Sequence, residues 1–371
     1  MRPSKYKELY KLFTPFFLIS TLYAAENETT QQNKDDTFQY PSYSEQQYQD
    51  VETISYELPY QETGFHVTGQ FLYWQTLQAN MVYGIDQPLH ANGADQVSLE
   101  GNLKKNSYRW DPGFRAGGGY MFSPETFDVN LEFTYFHNGA GNSTNLKENR
   151  FLKGVFPNTL DPMYGPITNM QTKADLDYAV LDFYATHIFH KNENFVMRFL
   201  TGVQGAWISK GASIYYKTNF LFDPALAEVA KTVVQNNWKY SGAGLRFGLS
   251  MDWFIVGGIS LHCEGNFAAI VGRFRSKYKI DQTVGNHFAK TYPSDTRVIP
   301  NAQLILGFAW RKMLSSIGVK AFANWELNLW NDLSQTYMYP TTAASNSFVV
   351  GSWVRNSLNL QGITAGFAAE F

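Results

Sequence analysis

The chain has 371 residues, of which 16% are aromatic and only 17% are charged. Soluble proteins carry roughly 25% charged residues, yet the mean hydropathy here is −0.30, which excludes a chain that is apolar throughout. The formal net charge of −2 does not favour a nucleic-acid partner, because such binding needs a basic surface.

Residues 1–24 have the pattern of a secretory signal peptide. An apolar core runs over residues 12–22, and small residues around Ala24 offer a cleavage site. The core is about half of the roughly 20 residues that a spanning helix needs, so an uncleaved membrane anchor is the less favoured alternative. Removal of this segment would leave a net charge of −5. The basic residues that precede the core are Arg2, Lys5, Lys7 and Lys11.

Residues 25–63 are rich in Gln, Tyr, Glu, Asp and Ser and show no sustained period. This composition predicts a flexible, polar N-terminal segment in the periplasm.

From residue 64 onward, apolar and polar residues alternate. The clearest case is 127–136, where Phe127, Leu131 and Phe133 share one face and Asp128 and Glu132 share the other. A period of two residues over this length indicates a strand with one apolar and one wet face. Residues 64–371 are therefore predicted to form one all-β domain.

The spacing predicts about ten strands, or twelve if the long connections hold a further hairpin. Every second connection is short and the others are long, as in a transmembrane antiparallel up-and-down β-barrel with short periplasmic turns and long extracellular loops. A soluble β-sandwich would explain the alternation but not this sorting of loops. The predicted strands are 65–76, 108–122, 127–137, 174–188, 195–209, 238–254, 256–275, 298–311, 316–330 and 358–371.

Aromatic residues mark the ends of these strands. Phe367 and Phe371 alternate in phase with the last strand, a pattern that the barrel-assembly machinery of Gram-negative bacteria reads as an assembly signal. Tryptophan favours the membrane–water interface, and seven tryptophans near predicted strand ends are expected to form aromatic girdles: Trp74, Trp110, Trp207, Trp238, Trp253, Trp310 and Trp330.

The polar face of each strand is predicted to point into the barrel. Its charges could line a water path and set ion preference, or could pair across a narrow interior and fill it; the sequence favours neither. The predicted lumen-lining residues are Arg115, Asp128, Asn130, Glu132, Arg198, Gln204, Arg246, Asp252, His262, Glu264, Lys320 and Glu326.

Several segments resemble the major outer membrane protein-like porins of chlamydiae and their environmental relatives. The most specific is the run Trp110-Asp111-Pro112-Gly113-Phe114; Phe71 to Gln75, Leu131 to Phe136 and Gly244 to Leu249 are more diffuse. The resemblance covers about residues 64–371 and implies an outer-membrane barrel with porin activity. The best-known members are rich in cysteine, whereas this chain has only Cys263 and cannot join a disulfide network in the same way.

The expected function is passive diffusion of small hydrophilic solutes or ions across the outer membrane. The alternatives are a structural or adhesive surface barrel with a plugged lumen and, less favoured, a barrel enzyme. No motif joins a histidine to a nucleophile, so no catalytic residue, cofactor or metal is expected. The expected partners are outer-membrane lipid, the assembly machinery, small solutes and a second copy of the chain, as in a porin trimer.

Overall fold

The computed structural model describes most of the chain from residue 63 onward. The predicted signal peptide and the N-terminal periplasmic segment lie outside the described residues, except for Thr63. The described ranges are 63–78, 82–88, 101–123, 127–154, 167–192, 194–218, 230–282, 289–314, 317–338 and 352–371.

The described residues are almost entirely β-strand. Among them, no helix is long and apolar enough to cross a membrane. The strands are β1 Gly64–Gln78, β2 Val82–Pro88, β3 Asn102–Lys105, β4 Trp110–Ser123, β5 Phe127–Asn145, β6 Arg150–Gly154, β7 Ile167–Asn192, β8 Phe195–Thr218, β9 Ala230–Val256, β10 Ile259–Gln282, β11 Ala289–Thr291, β12 Ser294–Leu314, β13 Ile317–Met338 and β14 Ser352–Glu370.

Ten long strands form a closed antiparallel ring. Their order is β10-β12-β13-β14-β1-β4-β5-β7-β8-β9, and β9 pairs with β10 to complete the circle. The first and last strands are neighbours, and the backbone N–H of Phe371 donates to the carbonyl oxygen of Phe65 at 2.8 Å. The predicted antiparallel barrel of about ten strands is confirmed.

Short turns lie at one end of the ring, called here the turn end, and long connections lie at the other, called the loop end. The turn between β9 and β10 consists of Gly257 and Gly258, whose φ angles are +61° and +81°. Two positive φ angles in a two-residue hairpin are typical of a type I′ turn, which glycine adopts without steric cost.

The strands extend further toward the loop end than the sequence indicated. β5 continues to Asn145 and β7 begins at Ile167, inside a segment predicted as the loop 138–173. The predicted bounds of this loop were wrong because polar residues on both faces of a strand remove the alternation while backbone pairing continues. The connection predicted at 77–107 contains β2 and β3, which pair with each other as a further hairpin of the kind that the long connections were expected to allow.

The outer face of the ring carries a broad apolar band. Exposed side chains include Phe65 at 67%, Phe367 at 68% and Leu245 at 58%, and so much exposed apolar surface fits a lipid environment. Four of the seven predicted girdle tryptophans lie on this face: Trp110, Trp207, Trp253 and Trp310.

The other three tryptophans correct the girdle prediction. Trp74, Trp238 and Trp330 are at most 1% exposed and belong to the buried core. Trp74 shares the parity of Gln70 on β1, so its side chain points into the ring. Position near a strand end is therefore a weaker guide than the phase of the strand.

A small sheet of β3, β2 and β6 stands at the loop end. Within it, Asp86 binds Arg150 Nε at 2.7 Å and Lys104 Nζ at 3.1 Å. Burial raises the pKa of the Asp86 carboxyl, but hydrogen bonds and charge from Arg150 and Lys104 outweigh burial and hold the pKa below its ordinary value.

The replacement Asp86→Asn should loosen this sheet at neutral pH and have little effect in acid. The folded-state pKa of Asp86 is lowered, so its stabilising contribution is complete above the unfolded pKa of about 4 and is lost as the pH falls through the folded value. Hydrogen exchange of residues 82–88 at pH 7 and near pH 2.5 measures this. An equal difference between the two proteins at both pH values would contradict the assignment.

Candidate functional site

The interior of the ring carries the polar face of the strands. All twelve predicted lumen-lining residues are buried or half-buried, whereas many of the apolar residues beside them on the same strands, such as Phe114 and Leu245, are exposed. The structure thus brings the twelve side chains together inside the ring, where hydrogen bonds and ion pairs join most of them. Whether they line a path for solutes remains a prediction.

Arg115 on β4 is the centre of the first charged cluster. Its guanidinium binds Glu326 on β13 with two hydrogen bonds of 2.8 and 3.1 Å. β1 and β14 separate these strands in the ring, so the pair crosses part of the interior. Arg115 also lies 3.4 Å from Glu132 on β5 and donates to the hydroxyl of Thr134 at 2.9 Å.

Glu326 is 1% exposed, and its remaining acceptor capacity is used. Gln303 Nε2 on β12 donates to it at 2.5 Å and the hydroxyl of Thr364 donates at 3.1 Å. A buried carboxylate that holds a two-pronged arginine and two further donors is well compensated for its loss of water. The cluster therefore ties β4, β12, β13 and β14 together.

Arg246 on β9 is the centre of a second cluster. It lies 2.9 Å from Asp182 on β7 and 3.5 Å from Glu264 on β10, and its guanidinium stacks 5.1 Å from the ring of Tyr184. Gln204 on β8 donates to Asp182 at 2.8 Å. Each arginine is thus flanked by two carboxylates.

A third cluster lies nearer the turn end. Asp252 on β9 accepts from Arg198 and lies 2.8 Å from Nδ1 of His262, whose Nε2 is 3.6 Å from Glu264. His262 therefore connects this cluster to Arg246 through Glu264.

Polar contacts continue to the turn end on the β5 side. Asn130 binds Nε2 of His66 at 2.7 Å and donates to Asp128 at 3.2 Å, and Asp128 also accepts from the hydroxyl of Thr186. From the turn end up to the level of Arg115, polar side chains predominate in the interior, and Leu200 and Ile305 are among the apolar side chains buried with them.

Two cavities remain between these clusters, each of about 180 Å³. Lys320, Tyr184 and Glu264 border both. The cavity nearer the turn end is also bordered by Asp128, Asn130 and Arg198. The deeper one is bordered by Arg115, Glu132, Arg246 and His262. Cavities of this volume with polar walls can hold several water molecules.

Asp182 is a member of the network that the sequence prediction missed. It is 4% exposed and binds both Arg246 and Gln204. Its strand has apolar residues on both faces, with Leu181 and Phe183 outside and Tyr178 and Val180 inside, so alternation did not indicate its direction. Pairing of β7 with β5, which sets Asp182 opposite Glu132, is the signal that would have found it.

Above Arg115 the interior becomes aromatic, which the sequence prediction also missed. The rings of Trp74 and Phe136 are 5.6 Å apart, and those of Tyr178 and Trp330 are 5.9 Å apart. Tyr178 on β7 and Trp330 on β13 lie on opposite walls, because their strands are five positions apart in the ten-stranded ring. The Tyr178 hydroxyl also accepts from Asn328 at 3.1 Å. These four rings, called here the aromatic layer, span the interior.

A second apolar cluster covers the aromatic layer at the loop end. It joins Tyr83 of β2 and Leu152 of β6 to Met170, Tyr216 and Tyr278 of the ring. The hydroxyl of Tyr216 donates to the backbone oxygen of Tyr83 at 2.7 Å. The small sheet thus packs onto the inside of the wall at this end.

The described side chains offer no group of three or more His, Cys, Asp or Glu residues that could hold a metal ion. The site consists instead of paired charges, two small polar cavities and an apolar closure.

A closed antiparallel ring with an apolar outer face and a polar interior defines an outer-membrane β-barrel protein. A family model described as the Legionella pneumophila major outer membrane protein precursor matches residues 57–370, and the chain belongs to this family. The protein resides in the outer membrane, and because the short turns of such barrels lie on the periplasmic side, we expect the turn end to face the periplasm. The finer resemblance to chlamydial porins remains a prediction.

Several solved structures of outer-membrane proteins are similar to this chain at low identity. The outer membrane protease OmpT of Escherichia coli is 7% identical, with a TM-score of 0.38 over 84% of this chain and 98% of that one. The toluene transporter TodX of Pseudomonas putida is 9% identical, with a TM-score of 0.31 over 83% and 89%. OprG of Pseudomonas aeruginosa is 10% identical, with a TM-score of 0.27 over 84% and 97%. No curated protein matches the sequence.

The replacement Glu326→Leu should strongly destabilise the barrel, because it leaves Glu132 as the one carboxylate that contacts the buried guanidinium of Arg115 among the described residues. Removal of one partner of a buried ion pair costs about 3–5 kcal/mol. Urea unfolding in lipid vesicles, followed by tryptophan fluorescence, measures the loss. The matched control is Glu148→Leu, which removes an exposed carboxylate near the loop end. Equal stability of the two variants would contradict the assigned role of Glu326.

Proposed function

We propose that the protein is a porin-type channel for small hydrophilic solutes or ions, closed in the described arrangement by the aromatic layer. The observation that carries this proposal is the pair of polar cavities of about 180 Å³ between the turn end and Arg115. Their walls come from strands all around the ring and carry charges of both signs. Such a lining suits hydrated solutes and sets ion preference by its balance of charge.

The charged clusters favour a narrow passage through the barrel interior rather than a wide one. Arg115 and Arg246 are each held between two carboxylates, which fixes the positions of their side chains inside the barrel. Conduction would then follow the cavities beside the clusters, and Lys320, which borders both cavities, is the cation best placed to meet a passing ion.

A structural or adhesive barrel with a plugged lumen is the second candidate. The contact between Tyr178 and Trp330 favours it, because an apolar layer that reaches from wall to wall excludes ions. The channel proposal therefore requires these rings to move apart. Rotation of side chains could achieve this without breaking the backbone pairing of β7 or β13.

We also propose that the protein is not an enzyme. His137, Asp177 and Ser209 lie in register on β5, β7 and β8, with His137 Nδ1 at 2.8 Å from one oxygen of Asp177 and the Ser209 hydroxyl at 3.3 Å from the other. Asp177 therefore lies between the two residues, and the imidazole cannot take the serine proton as it does in a catalytic triad. The three side chains face outward from the wall.

Phe367 and Phe371 fit a proposed role as an assembly signal. Both side chains are exposed on the outer face, at 68% and 61%, and the strand that carries them closes the ring against β1. Assembly into trimers, as in other porins, also belongs to this proposal.

Single-channel recording in planar bilayers tests the channel proposal, with protein extracted from outer membranes. The unchanged protein should give small, discrete steps, and the double variant Tyr178→Ala/Trp330→Ala should give steps several times larger, because it removes the wall-to-wall contact. The matched control is Tyr135→Ala/Trp207→Ala, which removes one tyrosine and one tryptophan from the outer face and should leave the step size unchanged.

If the unchanged protein does not conduct but the Tyr178→Ala/Trp330→Ala variant does, the result would favour the plugged structural barrel and contradict the channel proposal. If neither protein conducts, the channel proposal is also contradicted, provided that both proteins are folded. The shift in electrophoretic mobility on heating in detergent shows whether they are folded.

A further inference from the structure

The outer face of β10 carries a run of basic residues near the loop end. Arg273, Arg275, Lys277 and Lys279 occupy four successive outward positions, since the residues between them are buried. The outward positions before them are apolar and include Phe267 at 51% and Val271 at 54% exposed. The outer face of this strand thus changes from apolar to basic within two residues.

Neighbouring strands widen this run into a patch. Lys239 on β9 lies opposite Arg275, and Lys290 on β11 lies opposite Lys279. Both side chains are exposed. We call this surface the basic wall, and it consists of Lys239, Arg273, Arg275, Lys277, Lys279 and Lys290.

The basic wall begins at the height of the outer membrane surface. Twelve residues separate Ile259 at the turn end from Val271, which for a strand tilted by about 40° is a rise of about 30 Å. The hydrocarbon core is about 30 Å thick, so Arg273 lies at the level of the lipid headgroups. Trp207 on β8 marks the same level, because it pairs with Ser241, which in turn pairs with Arg273.

Little acidic charge balances the basic wall. Asp281 lies 2.5 Å from Lys279, and Asp295 on β12 is held by Arg297 with contacts of 2.7 Å. Among the described residues, Lys239, Arg275 and Lys277 have no acidic partner. The cations therefore repel one another unless an anion from outside the chain approaches them.

The patch is also one-sided. On β7, the outward residues that follow Ala179 toward the loop end are Asp177, Asp175 and Lys173, so carboxylates outnumber cations on that strand. Because the whole chain has a net charge of −2, the concentration of cations on β9, β10 and β11 is a local feature that the average charge conceals.

We infer that the basic wall binds the phosphate groups of phosphorylated glycolipids in the outer leaflet of the outer membrane. Exposed apolar residues below it can contact the acyl chains, and six cations above them meet the phosphates at headgroup height. Cations at a membrane surface each strengthen attraction to anionic lipid, and lysine and arginine both bind phosphate oxygens. This lipid site is independent of whether the lumen conducts.

Native mass spectrometry tests the site, with protein from outer membranes and two probes: lipid A with two phosphates and the same lipid without phosphate. The triple variant Lys239→Gln/Arg275→Gln/Lys277→Gln should bind phosphorylated lipid A more weakly by a factor on the order of 100. The matched control is Lys105→Gln/Arg109→Gln/Lys173→Gln, which removes three exposed cations that lie toward the loop end and outside the basic wall. This control should bind phosphorylated lipid A as tightly as the unchanged protein does. All three proteins should bind the lipid without phosphate with equal affinity.

Equal binding by the triple variant and the control would overturn the proposal. The proposal would also be overturned if the triple variant lost as much affinity for the lipid without phosphate, because the site would then recognise acyl chains alone. A soluble sulfated polysaccharide serves as the competitor. If it displaces lipid A completely at low concentration, the basic wall is a site for soluble polyanions and the lipid assignment is wrong.

Discussion

The whole structure depends on one constraint, which is that a backbone inside lipid must satisfy its own hydrogen bonds. A sheet can do so only when it has no edge, and here the pairing of β1 with β14 removes the last one. Once the ring is closed, each residue of a strand has a fixed side. Apolar residues such as Phe367 and Leu245 then meet lipid, whereas Arg115 and Arg246 meet carboxylates inside the ring.

The interior combines two solutions to the problem of filling a narrow barrel. In the half near the turn end, arginine–carboxylate clusters offset the cost of burying charge and leave two small polar cavities. Toward the loop end, aromatic rings pack directly from wall to wall. Arg115 joins the two regions, because its guanidinium lies 5.5 Å from the ring of Trp74 as well as in contact with Glu326. Solute passage would therefore be decided at the aromatic layer.

Much of the fold follows from the sequence, because a period of two residues assigns sides directly. Glu132 and Phe133 were assigned to opposite faces from alternation alone, and the alternation of short and long connections predicted the ring. Trp74, Trp238 and Trp330 were misassigned because aromatic residues suit both lipid and a packed interior. Asp182 was missed because both faces of its strand are apolar. These features depend on which strands face each other across the ring, which local patterns do not encode.

The contact between Tyr178 and Trp330 tests this account most directly, since it exists only if β7 and β13 face each other across a filled interior. A double-mutant cycle with Tyr178→Leu and Trp330→Leu, measured by urea unfolding in lipid vesicles, should give a coupling free energy of about 0.5–1.5 kcal/mol. The reference cycle pairs Tyr178→Leu with Trp253→Leu on the outer face and should give none. Additive effects in the first cycle would contradict the closed aromatic layer.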